Sequence, residues 1–276
     1  MIEELIPLFG GVVALLALAS AVGFVLARRA ITPGAIATIE NLNDRIKAWW
    51  LMIALFGVAF LVGQTMTIVL FALTSFYCLR EFLSITPTRP EDHRPIVAAF
   101  YLFIPLQYWL VWTGWQSLFL IAIPVWAFLL LPVLAVLAGE TRDFLQRTAR
   151  IQWALMLAVF CISHAPALLL LDIPGYEGRN FLLLFFLITV VQLSDVLQYV
   201  FGKLLGKHKV APRVSPAKTW EGLIGGGLSA SLAGAALWWI TPFSPLEAWG
   251  MALAIVTGGF CGGLVLSAVK RSLAAK

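Results

Sequence analysis

Asp195 is the side chain in this sequence best placed to do chemistry. It lies inside the apolar run VVQLSDVLQYVFGKLLGK, well short of the run's basic end, and a carboxylate in such a run costs free energy unless it faces water or a partner. On a helix, Gln192, Asp195 and Tyr199, with Gln198 beside them, share roughly one face. Two uses are open to Asp195: a functional carboxylate, or an ion pair with a lysine that only ties helices together. The polar stripe runs past Lys203 directly into GKHKVAPRVSPAKTWEG, residues 206–222, where Lys207, Lys209, Arg213 and Lys218 crowd together. Any loop on the inner side of a membrane collects cations. The surrounding residues add to that: Gly202 and Gly206, the turn formers Pro212 and Pro216, and Ser215, Thr219 and Glu221 just ahead of the next apolar run. Glu221 followed by GLIGGG reads as a helix start, whose free N–H groups and positive dipole end favour a phosphate oxygen. The local chemistry is that of a polyanion site.

Other motifs offer less. GKLLGKH at 202–208 is not a phosphate-binding P-loop, because it is one residue short between its glycines and lacks Ser or Thr after the lysine. His93, His164 and His208 are separated from one another and lack metal-ligand spacing. RPEDHRP, 89–95, reads as a solvated turn. Cys78, Cys161 and Cys261 lie in or beside apolar segments and read as small packing residues, with no disulfide framework expected.

The elements that must position these residues are membrane helices. Mean hydropathy is +0.93 and only 12% of residues are charged, outside the range of soluble globular domains. No polar block is long enough for a separate soluble domain, so a single membrane domain over 1–276 is expected, in two parts, 1–175 and 176–276. Apolar runs long enough to cross about 30 Å of hydrocarbon occur near 5–26, 96–112, 118–138, 151–171, 181–201, 223–240 and 248–269. The 49–79 run would be about 46 Å long as one helix. Read as two short helices turning near Gly63 and Gln64, it brings the count to about nine spans, with the N-terminus outside and the C-terminus cytoplasmic. Eighteen of the 19 Lys and Arg then fall on the inner side, leaving only Arg179 outside; a single span would divide them fourteen against five. The fold class expected is therefore all-α, a polytopic helical bundle. The acidic start MIEELIPLFGG lacks the cationic region of a signal peptide and is expected to stay in the mature protein. Tryptophans such as Trp49, Trp50, Trp112, Trp115, Trp238 and Trp239 fall near span ends, where the headgroup layer suits an amphipathic ring. Gly258 with Gly262 and Gly259 with Gly263 have the four-residue spacing that lets helix backbones approach closely. Tight packing within the chain is the first use of that spacing, and a homodimer seam the second.

Taken together, Asp195, Tyr199 and Gly202 at the end of one span, GKHKVAPRVSPAKTWEG, the glycine-rich start of the next span and SAVKRSLAAK at 267–276 resemble the phosphatidate cytidylyltransferase, or CDP-diacylglycerol synthase, family. The resemblance is close over about the last 95 residues and rests on hydropathy elsewhere. It implies transfer of a cytidylyl group from CTP to phosphatidic acid at a bilayer, with Mg2+ as cofactor and pyrophosphate released, in a multi-pass protein of a bacterial cytoplasmic membrane. It also implies roles: Asp195 holding or orienting the metal; Lys207, Lys209 and Arg213 attracting phosphates; Ser215, Lys218 and Thr219 on the nucleotide phosphates; Lys270 and Arg271 steadying the lipid phosphate or the leaving pyrophosphate; and Tyr199 and Glu221 among the substrate-binding residues. Positioning and charge neutralisation carry such phosphoryl-type transfers. In the family the serine and Lys-Arg pair are followed by an aspartate and further carboxylates of the metal site, so SAVKRSLAAK is half a motif and a longer enzyme is expected.

Two other readings compete. A shortened relative could bind lipid or nucleotide without catalysing. A transporter would also carry an intramembrane acid, but here the polar side chains gather at one face instead of lining a path through the midplane. Nucleic acid is not an expected partner.

Overall fold

The computed structural model describes residues 2–29 and 32–273; Lys276, the last cation of the tail, lies outside them. The described chain is an all-α membrane bundle with one small hairpin. Eight helices are long and apolar enough to cross a membrane: α1 (Ile2–Arg29), α2 (Pro33–Val62), α3 (Gln64–Ser84), α4 (Pro90–Thr113), α5 (Gln116–Val136), α6 (Phe144–Leu170), α7 (Asn180–Leu204) and α9 (Pro245–Ser272). The expected span at 223–240 is a shorter apolar helix, α8 (Gly222–Ala236). The 49–79 run divides at Gly63, whose φ of 117° only glycine adopts without strain. The Thr67 hydroxyl beside it donates to the Ala59 and Gly63 carbonyls. Gln64 then opens α3, and α2 begins well ahead of the apolar run, at Pro33.

Residues 1–70 and 71–276 form two compact units. In the first, α1 and α2 pair antiparallel: Phe9 meets Phe60 edge to face at 5.8 Å, and the Trp50 indole N–H donates to the Ser20 hydroxyl at 3.1 Å. In the second, α4, α5 and α6 share a core built on Phe103, Leu110, Leu131, Leu155 and Val159. Buried polar groups in it find partners: Tyr108 meets Ser75 of α3 at 2.6 Å, and the Gln107 amide donates to Ser163 at 3.1 Å. The other part of this unit is a trio, α7, α8 and α9, where Gly234 on α8 lets Ala252 and Val190 close in.

Three expectations are corrected. RPEDHRP is not a solvated turn, because Asp92 is 2% exposed and forms a buried ion pair with Arg147 on α6 at 2.8 Å. The other Asp92 carboxylate oxygen accepts the Arg89 N–H, so the pair fixes the entry to α4. Cys78, Cys161 and Cys261 are free thiols on exposed helix faces instead of packed ones. Gly258, Gly259 and Gly262 are open within the chain, since a Cβ on any of them would meet no atom within 4 Å.

Candidate active site

The basic connection folds as a β-hairpin that the sequence did not announce. Strands β1 (Lys209–Ala211) and β2 (Ser215–Thr219) pair antiparallel, with Lys209 opposite Thr219, Ala211 opposite Ser215, and a register irregularity between. Pro212, Arg213 and Val214 make the tip, closed by the Val214 N–H donating to the Ala211 carbonyl. A two-stranded ribbon of this length is not stable alone; here β2 rests on both α7 and α9.

Glycines bring the hairpin's exit against α7. A Cβ on Gly226 would come within 2.6 Å of the Gln198 and Leu197 backbones, and one on Gly222 within 2.8 Å of the Gln198 carbonyl. Gly202 and Gly206 likewise leave room for Thr219. The GLIGGG segment is therefore a backbone-to-backbone seam between α7 and α8. Its role as a phosphate-accepting helix start is displaced, because the Thr219 hydroxyl already accepts the Gly222 N–H at 3.1 Å. Thr219 is 2% exposed, so this residue, expected on the nucleotide, is instead a buried cap behind the site.

Glu221 is also a positioning residue. Its carboxylate accepts the backbone N–H groups of Lys207 and His208 at 3.1 Å each and meets the His208 Nδ1 at 2.6 Å. Its own backbone N–H and these loop donors hold its carboxyl down to about 2. The Trp220 N–H donates to the His208 carbonyl, so the loop after α7 is tied to the start of α8 from both sides. His208, passed over in the sequence, belongs to this tie; only the hairpin brings it near Glu221.

Lys218 is the cation that the fold places at the seam. Its Nζ donates to the Phe260 carbonyl on α9 at 3.1 Å and lies 4.3 Å from the Phe260 ring centroid. Burial lowers its pKa, and the nearby charge of Asp195 on α7 opposes that fall. Asp195 and Lys218, far apart in sequence, thus act on each other across the α7–α9 seam. On α9, Gly263, Ser267 and Lys270 follow at spacings of four and three and continue the face that carries Phe260. Lys270 and Arg271 are exposed in the last turn, about 10–15 Å along the helix from the Lys218 contact, so a bound molecule would have to bridge the two cationic points. Lys207, Lys209 and Arg213 are exposed around the hairpin, Ser215 is half-buried at the start of β2, and exposed Tyr199 stands 5.8 Å from the Lys203 ammonium.

For a metal, the donor set is thin. Among the described residues no three His, Cys, Asp or Glu side chains cluster to hold one, and Glu221 is committed to the loop. Asp195 offers a single carboxylate. That suits Mg2+ carried largely by substrate phosphates and water, which needs only one or two protein carboxylates.

Against this geometry stand the comparisons with known proteins. A cytidylyltransferase family model matches residues 43–276. The chain belongs to the cytidylyltransferase family. This cytidylyltransferase-family chain is similar to the uncharacterized protein YnbB of Escherichia coli (strain K12), 37% identical over 233 residues that cover 84% of this chain and 76% of the relative. It is similar over a shorter stretch to the phosphatidate cytidylyltransferase of Staphylococcus aureus (strain COL), 39% identical over 103 residues, 36% of this chain and 38% of that one. The phosphatidate cytidylyltransferase of Brucella abortus biovar 1 (strain 9-941) is 40% identical over 113 residues, 40% of this chain and 41% of that one. The matches to both named enzymes span about two fifths of their length. No solved structure matches the chain. Family and fold together make this a multi-pass membrane protein of a nucleotidyltransferase family.

Proposed function

We propose that this protein transfers a cytidylyl group from CTP to phosphatidic acid, giving CDP-diacylglycerol and pyrophosphate, at the inner face of a bacterial cytoplasmic membrane. The observation that carries the reading is Lys218 of the cationic hairpin, held on the Phe260 carbonyl of α9 and within reach of the charge of Asp195 on α7. Two polyanions repel each other, and cations already fixed around a shared site offset that repulsion without the reorganisation that water would need. Lys207, Lys209 and Arg213, exposed around the hairpin, draw the triphosphate in. Ser215 and Lys218 hold it at the seam. Lys270 and Arg271, farther along α9, take the lipid phosphate or the departing pyrophosphate. An oxygen of the lipid phosphate attacks the α-phosphorus of CTP, the bond from that phosphorus to the bridging α–β oxygen breaks, and pyrophosphate leaves with the electron pair. Mg2+ would neutralise phosphate charge, with Asp195 as its protein ligand. The exposed glycines of α9 leave a homodimer seam open as a further proposal.

Incubating the full-length protein with CTP, Mg2+ and phosphatidate in mixed micelles tests the reading. CDP-diacylglycerol and pyrophosphate in equal amounts are expected, and no product from well-folded protein would overturn it. A second reading, binding without turnover, draws on the single carboxylate at the seam. It predicts saturable CTP binding in the same micelles with no pyrophosphate released.

A further inference from the structure

Four glycines crowd one stretch of α9, and only one of them is required by a contact. Gly258, Gly259 and Gly262 would each accept a Cβ with nothing nearby, whereas a Cβ on Gly263 would lie 2.5 Å from the Lys218 Nζ and 3.5 Å from its Cε. The buried face of α9 runs Ala248, Ala252, Val256, Phe260 at intervals of four. Gly263 is the next position on that face, where a core side chain would ordinarily sit. The Lys218 side chain, arriving from β2, fills the gap instead. Its ammonium is then fixed on three sides, by the Phe260 carbonyl, the Phe260 ring and the bare Gly263 backbone. A lysine on an exposed ribbon would otherwise sample many rotamers, and ordering it costs conformational free energy that such a seat recovers.

We infer that Gly263 is a positioning residue for this site: its missing side chain seats the Lys218 ammonium against α9, beside the Phe260 carbonyl and ring, where it meets the phosphate of a bound substrate. The functional half of this statement rests on the proposed cytidylyl transfer; the seat itself does not. Because the obstructing atoms belong to the far end of a flexible side chain, Gly263→Ala is expected to fold while pushing the ammonium out of its seat. Gly262→Ala, one residue away and facing open space, is the matched control.

The seven lysines of the chain make the seat directly observable. In protein labelled with 15Nζ-lysine in detergent micelles, an ammonium held against a carbonyl and a ring exchanges slowly and gives a ring-shifted signal, while freely hydrated ammonium groups exchange away. One such signal is expected, absent in Lys218→Arg, absent in Gly263→Ala and retained in Gly262→Ala. In the cytidylyl-transfer assay Gly263→Ala is expected to raise KM for CTP, since Lys218 holds the triphosphate, and to lower kcat about tenfold, less than the roughly 10²–10³-fold loss on removing a donor outright. A protected signal that persists in Gly263→Ala, or that is missing from the unsubstituted protein, overturns the seat. Loss of the signal with kcat unchanged overturns the positioning role. Loss of the signal in a protein whose unsubstituted form makes no CDP-diacylglycerol upholds the seat and removes the proposed reaction instead.

Discussion

At the scale of single residues, the proposed reaction assigns Asp195 and Lys218 to the substrates, and the hydrogen bonds of Glu221 assign it to the loop after α7. Asp195→Asn keeps the shape of the side chain and removes its charge, so turnover in the cytidylyl-transfer assay should be abolished while helical content and Tm hold. Turnover retained at the unsubstituted rate would remove Asp195 from the site. Glu221 acts through protonation. Its folded pKa, about 2, lies below the ordinary value of 4.5, so the tie to the loop is fully present above pH 4.5 and is lost as pH falls toward 2. Amide hydrogen exchange at Lys207 and His208 should accelerate across that window, and Glu221→Gln should raise it at neutral pH. Asp195 stood out in the sequence because a lone acid in an apolar run is expensive, and its part in turnover rests on the proposed reaction. The roles of Thr219 and Glu221 were not legible there, since both depend on partners that lie a hairpin away, at Gly202, Gly206, Lys207 and His208.

Helices and their seams set the next scale. Gly226 touches backbone, which cannot swing aside, so Gly226→Ala should destabilise by about 1–3 kcal/mol as overpacking does. Gly225→Ala meets only the Phe201 ring and should cost less. Thermal unfolding in detergent would rank the two, and equal Tm values would show that the seam gives way. Arg147→Ala strands the buried Asp92 carboxylate, and by the behaviour of broken buried pairs it should cost about 3–5 kcal/mol. The apolar runs and the break at Gly63 could be read from hydropathy, cation placement and one glycine. The β-hairpin could not, because its strands are three and five residues long, carry a proline, and lack the alternation that marks a half-buried strand. The Asp92–Arg147 pair escaped for a related reason: 55 residues separate the partners, and each looked like an ordinary loop charge.

Across the whole molecule, the proposed reaction needs the hairpin on the cytoplasmic side, the side that the distribution of cations predicts for it. With the native cysteines replaced, Ser215→Cys should react with a membrane-impermeant maleimide only in inside-out vesicles, whereas Arg179→Cys should react from the outside of intact cells. The reverse pattern would place the Asp195–Lys218 seam at the wrong face for a cytosolic nucleotide. The shortness of α8 bears on the other substrate. Its span, Gly222–Ala236, covers about 22 Å where hydrocarbon is about 30 Å thick. Lipids beside a span of that length would dip to meet its ends, since bilayers thin around spans that are too short. On the proposed reaction, a headgroup settling into such a dimple would descend toward Asp195, and the acceptor phosphate would reach the carboxylate without being pulled out of its own leaflet.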